Sequence, residues 1–127
     1  MATVFVFGSN QQGRHGKGAA LTARQKYGAE YGVGKGRTGN AYAIPTKIKP
    51  TYQKRQIPLE EIQGDVEEFL EYAQNHPEDI FLVTPIGTGL AGYLHTEIAP
   101  MFDGAPKNVK LPTEWTKPEP ESGLFSI

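Results

Sequence analysis

Apolar residues along the chain are concentrated in two short, uninterrupted runs. Residues 3–7 (TVFVF) and 80–84 (IFLVT) consist of β-branched, aromatic and other apolar residues, and turn-forming residues follow each run. Short continuous runs of this kind predict strands of a parallel or mixed central sheet. We expect the first of them to be buried on both faces.

A longer stretch, residues 59–76, has a different pattern, with apolar positions three and four apart and acidic residues between them. The apolar positions are Leu59, Ile62, Val66, Phe69, Leu70 and Ala73. This spacing predicts an amphipathic helix, which Pro77 ends. The acidic residues are most simply its solvated face.

Weaker patterns fill the rest of the chain. Residues 19–27 are rich in helix formers, residues 40–45 and 109–111 predict short strands, and residues 95–102 predict a short helix. A strand, a glycine-rich loop and a helix in succession form the first half of a βαβ unit, so we predict an α/β fold. For the polar connection 46–58, the sequence leaves open whether it is a lid or a plain loop.

Length and composition narrow the class of protein. A chain of 127 residues fits one domain, which we assign to residues 1–112, followed by a proline- and glutamate-rich tail, residues 113–127, in which Trp115 docks on the domain. A formal net charge of −1 argues against a nucleic-acid partner. The absence of cysteine excludes disulfides and thiolate nucleophiles, and the three histidines are scattered, so we predict neither a metal nor a cofactor.

The N-terminal segment MATVFVFGSN has neither the basic part nor the long apolar part of a signal peptide. No run approaches the roughly 18 apolar residues of a membrane-spanning helix. We therefore predict a cytoplasmic protein with no membrane partner. Whether it forms a homo-oligomer is left open by the sequence.

Glycine is the unusual feature of the composition, at 15 of 127 residues against an average usage of about 7%. Two glycine-rich loops, residues 11–18 (QQGRHGKG) and 85–93 (PIGTGLAGY), each follow a predicted buried strand, and a third stretch covers residues 32–39. Ligands of open α/β sheets bind at the carboxyl ends of the strands. Glycine lets the backbone approach a ligand, and free N–H groups and a helix N-terminus bind anions. Two such loops facing one pocket would suit a diphosphate.

The alternative is that these glycines form only tight turns. Neither loop matches the common phosphate-binding fingerprints. The segment Gly16-Lys17-Gly18 lacks the Ser or Thr that ends the Walker A motif, and the spacing of Gly13, Gly16 and Gly18 differs from that of GxGxxG.

Two side chains of the first loop are candidates for acid–base or electrostatic roles, His15 and Lys17. Because His15 lies between glycines, we do not expect it in the core. Phosphate charge would come from the cations in or beside the glycine loops, unless these are ordinary surface residues. They are Arg14, Lys17, Lys35 and Arg37.

Two further side chains flank the loops. Asn10, at the end of the first strand, would bind a ribose hydroxyl or a base edge, or else cap the turn. Tyr93 would stack on a base or ribose at the end of the second loop, or else pack as an ordinary tyrosine.

Two blocks of the sequence resemble macro domains. The block FVFGSNQQGRHGKGAALTARQKYGA resembles their opening strand, asparagine, glycine-rich loop and helix, and IFLVTPIGTGLAGY resembles their late strand and phosphate loop. The pattern from Phe5 to Met101, which includes GNAYAIPTK and EIAPMF, is similar to short macro-like proteins of bacteriophages and bacteria. The resemblance covers about three quarters of the chain.

The resemblance implies a three-layer α/β/α fold with a mixed central sheet, and ADP-ribose or a relative across the strand ends. It implies that Gly16, Gly18 and Ala19 approach the distal ribose and diphosphate, that residues 88–92 wrap the diphosphate, and that Tyr93 lies near the distal ribose. The sequence departs from the family at Gly8 and Ser9, where many macro domains have an acidic residue that binds the adenine amino group.

Together these observations predict a ligand-binding site at the strand ends. The expected ligand-binding residues are Gly8, Ser9, Asn10, Gly13, His15, Gly16, Gly18, Ala19, Pro85, Ile86, Gly87, Thr88, Gly89, Leu90, Ala91, Gly92 and Tyr93.

Three functions follow as hypotheses. The first is capture, without catalysis, of an ADP-ribose-like or cyclic nucleotide; since similar proteins are often phage-encoded, one version is sequestration of a host immune signalling nucleotide in the host cytoplasm. The second is a macro-type hydrolase of an ADP-ribosyl or nucleotide phosphoester bond. The third is a protein-interaction module that uses the tail around Trp115.

Overall fold

A computed structural model describes residues 1–16, 18–48, 56–89 and 91–116. Within these ranges the chain forms one five-stranded mixed sheet with helices, which confirms the predicted α/β fold. The strands are β1 (Thr3–Asn10), β2 (Gly36–Thr38), β3 (Ala41–Lys47), β4 (Ile80–Val83) and β5 (Val109–Lys110). The helices are α1 (Gly18–Lys26), α2 (Leu59–Gln74), α3 (His95–Ile98) and α4 (Thr113–Thr116), and a 3-10 turn spans Ala99–Phe102.

The order of strands across the sheet is β2-β3-β1-β4-β5. Strand β1 pairs in parallel with β3 on one side and β4 on the other, β5 continues the parallel set, and β2 is an antiparallel edge strand. The chain moves from β1 to β3 through α1, then returns past β1 to β4 through α2. This reversal creates a topological switch point beside the carboxyl end of β1, where ligands of open α/β sheets bind.

Both apolar runs form strands, as predicted, but β1 is longer than its apolar run. Its last three residues, Gly8 to Asn10, pair with Ile44, Pro45 and Lys47 of β3, with an irregularity between Ser9 and Asn10. These residues carry no β signal of their own. Pairing with β3 therefore extends the strand, and it brings Ser9 and Asn10 to the carboxyl edge of the sheet.

Strand β3 is also longer than predicted, because it continues through Pro45 to Lys47. Strand β2 pairs only with Ala41 to Ala43, so the proline lies where that side of β3 has no ladder partner, and a missing N–H is tolerated there. Strand β2 itself lies within the glycine-rich stretch 32–39, where the sequence predicted no strand. Its three residues are strand only through their pairing with β3.

Alternate residues of β1 belong to two different cores. Val4 and Val6 pack in the larger core with the buried face of α2, including Val66 and Phe69, whereas Phe7 packs in a smaller core with Ala23 of α1. Because neighbouring residues of a strand point to opposite faces, α1 and α2 lie on opposite faces of the sheet. The predicted amphipathic helix is thus confirmed as α2, ending at Gln74 rather than at residue 76.

The beginning of the predicted tail packs on the domain. In α4, the indole N–H of Trp115 donates to Nδ1 of His95 at 2.9 Å, and its ring centroid lies 5.3 Å from that of Phe102. The prediction that Trp115 docks is therefore confirmed. Residues 117–127 lie outside the described residues. No helix in the described ranges is long and apolar enough to cross a membrane.

Candidate ligand-binding cleft

A cleft of about 900 Å³ opens at the carboxyl ends of β1, β3 and β4. One wall consists of the last three residues of β1, the first glycine loop and the start of α1; the opposite wall consists of the described residues from Thr84 to Gly89 together with Ala91. Thr46 and Lys47, at the end of β3, complete the lining with Tyr31. The two glycine loops predicted from the sequence therefore face one concavity, whose volume is typical of a small-molecule site.

The described lining of the cleft has basic but no acidic side chains. Arg14 is exposed at the first loop, Lys47 is buried at the end of β3, and no Asp, Glu or His belongs to this lining. The chain as a whole has a formal net charge of −1. The positive charge is thus local to the cleft, which favours an anionic ligand.

The first glycine loop is held in shape by Asn10. Its side-chain oxygen accepts a hydrogen bond from the backbone N–H of Arg14 at 3.1 Å, and its Nδ2 donates to the Arg14 carbonyl at 2.9 Å. The backbone N–H of Gly13 donates to the Asn10 carbonyl at 2.9 Å. The amide of Asn10 is therefore used to cap the loop, which is the second of the two roles considered for it.

The third glycine-rich stretch packs against the backbone of the first loop. The backbone N–H of Gly32 donates to the Gly13 carbonyl at 2.8 Å. A Cβ at Gly13, where φ is 69°, would overlap the backbone of Gly32 and Val33, and a Cβ at Gly34 would overlap the Asn10 carbonyl. These two glycines permit close backbone packing inside the protein, so their presence is explained by the fold alone.

Gly16 and Gly89 are different. Neither has a positive φ, and a Cβ on either would meet no atom of the described residues beyond its chain neighbours within 4 Å. Both line the cleft, one in each wall. Gly64 in α2 shares this geometry, but it is exposed on the helix and away from the cleft. Neither turn geometry nor internal packing requires glycine at positions 16 and 89, whereas the close approach of a ligand would.

Backbone donors also point to an anionic ligand. The first residues of α1, Gly18 to Ala20, line the cleft, and no acidic side chain lies in this first turn. The N-terminal N–H groups of a helix have no partner within the helix and carry partial positive charge. In the second loop, the N–H groups of Gly87 and Gly89 bond to no backbone carbonyl of the described residues.

Most of the predicted site residues are brought together. Every one of them that the structure describes lines the cleft, except Gly13, His15, Gly92 and Tyr93. Lys17 and Leu90 lie outside the described residues. The sequence did not single out several further lining residues, among them Thr46, Lys47 and Tyr31, which no glycine loop contains.

His15 is buried, so the expectation that it would lie outside the core is wrong. Its Nε2–H donates to the Val33 carbonyl at 3.1 Å, and its ring packs edge-on to Phe7 and Tyr31, with centroids 5.2 and 6.2 Å away. Its Nδ1 has no hydrogen-bond partner among the described residues, and burial lowers the pKa of the ring. The residue is enclosed because the third glycine-rich stretch packs over the first loop, an effect that spacing along the chain does not reveal.

The side chain of Tyr93 forms a hydrogen bond within the protein, away from the cleft. Its hydroxyl donates to the Ile57 carbonyl at 2.7 Å, and burial raises the pKa of that hydroxyl. Its backbone N–H donates to the Gly87 carbonyl at 2.8 Å, which closes the second loop. The residue thus braces the loop from outside the cleft.

Two of the expected phosphate-binding cations form ion pairs away from the cleft. Nζ of Lys35 lies 3.0 Å from Asp65 and 2.9 Å from Glu68, on the acidic face of α2. Arg37 lies 3.4 Å from Asp79. Among the four cations considered from the sequence, Arg14 alone lines the described cleft, and Lys17 is not described.

No protein-family model matches the chain, and no curated protein matches it.

Proposed function

We propose that the protein binds a phosphate-containing nucleotide derivative, of the ADP-ribose or cyclic-nucleotide class, and holds it in the cleft without converting it. The observation that carries the proposal is the pair Gly16 and Gly89, which both line the cleft although neither a positive φ nor a packing contact with the described residues requires glycine there. A ligand backbone that passes close to both loops accounts for both glycines.

The charge of the cleft supports the same class of ligand. Arg14 and the N-terminus of α1 line one space, and no acidic side chain belongs to its described lining. A diphosphate carries the charge that these groups would neutralise, through charge-assisted hydrogen bonds and backbone N–H donors. The resemblance to phage macro-like proteins extends the proposal to sequestration of a host signalling nucleotide.

Binding is preferred to hydrolysis because of what the described lining contains. It has no carboxylate or imidazole to act as a general base, and the hydroxyls of Ser9 and Thr88 donate to the carbonyls of Gly34 and Pro85. No feature of the described cleft specifically favours a hydrolase.

The test is a ligand screen of the full chain by thermal shift and calorimetry, with the ligand analysed by mass afterwards. The probes are ADP-ribose, cyclic ADP-ribose isomers, NAD and cyclic dinucleotides. A bound ligand raises the melting temperature by mass action, and we expect at least one probe to do so and to be recovered intact. Recovery of a product would show an enzyme, and no shift with any probe would refute the proposal.

A charge variant localises the binding. Replacing Arg14 with glutamine should weaken binding about 10- to 150-fold, since hydrogen bonds to charged groups contribute about 1.5–3 kcal/mol. The backbone bonds of Arg14 to Asn10 do not involve the guanidinium, so the loop should keep its shape. The matched control is Lys107→Gln, an exposed lysine outside the cleft, which should leave the affinity unchanged.

A further inference from the structure

Tyr31 is a large aromatic side chain that lines the cleft and is 54% exposed. Among the described lining residues it is the one aromatic side chain. Large aromatic rings usually stabilise a protein by being buried, so an exposed ring beside a concave site indicates a binding surface. The fold does not use this ring to fill a core.

The ring is nevertheless held in place. It forms a T-shaped contact with His15, with centroids 6.2 Å apart at 79°, and His15 forms another with Phe7, with centroids 5.2 Å apart at 87°. The hydrogen bond from His15 to the Val33 carbonyl fixes the middle ring of this series. Tyr31 therefore packs against a buried residue that limits the movement of its ring.

A cation of α1 also contacts the Tyr31 ring. The guanidinium carbon of Arg24 lies 5.2 Å from the ring centroid, over one face. Arg24 does not line the cleft, whereas the Tyr31 ring does. The exposed part of the Tyr31 side chain is thus available to a ligand in the cleft.

We infer that Tyr31 is the stacking platform for the nucleobase of the bound ligand. The inference rests on the proposed nucleotide-binding function and assigns the base end of the ligand to the side of the cleft where Tyr31 lies. Phosphates lie between the glycine loops, and the base stacks on the exposed part of the Tyr31 ring, which supplies affinity. Tyr93, which sequence reasoning considered for this role, is engaged with the Ile57 carbonyl outside the cleft.

The experiment compares wild type, Tyr31→Leu and Tyr31→Phe by calorimetry with ADP-ribose, cyclic ADP-ribose and cyclic di-AMP. Base–aromatic stacking predicts that Tyr31→Leu weakens nucleotide binding about 5- to 150-fold. Tyr31→Phe keeps the ring and should bind as wild type does. Inorganic pyrophosphate, which has no base, should bind with the same dissociation constant to all three proteins. Proton NMR should show an upfield shift of the base protons on binding wild type, lost in Tyr31→Leu.

Leu94→Ala is the matched control, since Leu94 is also exposed, at 64%, and does not line the cleft. Because Tyr31 is exposed, its replacement should leave the melting temperature of the free protein nearly unchanged. If wild type binds a nucleotide and Tyr31→Leu binds it equally well, the platform is refuted while the proposed function stands. If wild type binds none of the probes, the proposed function fails, and the platform fails with it.

Discussion

Replacing Gly89 with alanine adds one methyl group to the wall of the cleft and disturbs nothing in the protein itself. A Cβ at this position has no atom within 4 Å in the part of the chain that the structure describes, chain neighbours aside, and the backbone is not in the left-handed region. Where the native backbone accepts alanine, the substitution reduces the entropy of the unfolded chain and raises the free energy of unfolding by about 0.4–1 kcal/mol. The free variant should therefore be at least as stable as wild type.

Binding should change in the opposite direction. If a ligand backbone packs against Gly89, the new methyl group occupies space that the ligand needs. Inserting a methyl group into a packed contact costs about 1–3 kcal/mol, which corresponds to a dissociation constant raised about 5- to 150-fold. Gain of stability with loss of affinity is a signature that simple misfolding would not produce.

Calorimetry with the tightest probe measures the affinity, and chemical denaturation measures the free energy of unfolding. The control is Gly64→Ala in α2, which has equally open surroundings and lies away from the cleft. It should gain about 0.5–1 kcal/mol of stability, since glycine is unfavourable within a helix, and keep the wild-type affinity. Wild-type affinity in Gly89→Ala would refute the reason given for this glycine.

Two further predictions concern the support of the first loop. Because burial lowers the pKa of His15 below its ordinary 6.5, the unfolded chain takes up a proton at a pH where the folded protein does not, so the free energy of unfolding should fall as the pH drops below that value. When the pH is lowered from 7.5 to 5.5, the free energy of unfolding should fall by up to about 1.4 kcal/mol more in wild type than in His15→Gln. An equal fall in both proteins would contradict the burial of a neutral His15. Replacing Asn10 with alanine removes both side-chain bonds to Arg14 and should lower the free energy of unfolding by about 1–3 kcal/mol and weaken nucleotide binding. An unchanged denaturation curve would show that this amide does not hold the loop.

Local pattern was sufficient for the main elements. The two continuous apolar runs form β1 and β4, and the segment with helical spacing of apolar residues forms α2. Each of these patterns can be recognised within a single segment, because the buried positions of a strand or helix repeat with the period of that element. The two glycine loops could be expected to meet, since the carboxyl ends of parallel strands share one edge of the sheet.

Other features depended on contacts between segments distant in sequence. Strand β2 and the last residues of β1 have little strand propensity and are ordered by pairing with β3. Lys35 and Arg37 resemble phosphate-binding cations in sequence, yet they lie beside Asp65 and Asp79 in the fold. Charge alone does not say which partner a cation will have.

The roles of Tyr93, Tyr31 and His15 were decided by tertiary structure alone. Sequence proximity to glycine suggested that His15 and Tyr93 face a ligand, but the packing of residues 32–34 over the first loop encloses His15, and Tyr93 bonds to the Ile57 carbonyl. Tyr31, outside both loops, is placed in the cleft instead. The sequence by itself determined which strand ends form the edge of the site. The packing of one loop on another decided which side chains face the interior of the site. That packing depends on backbone contacts between distant segments, and such contacts produce no periodic pattern in the sequence.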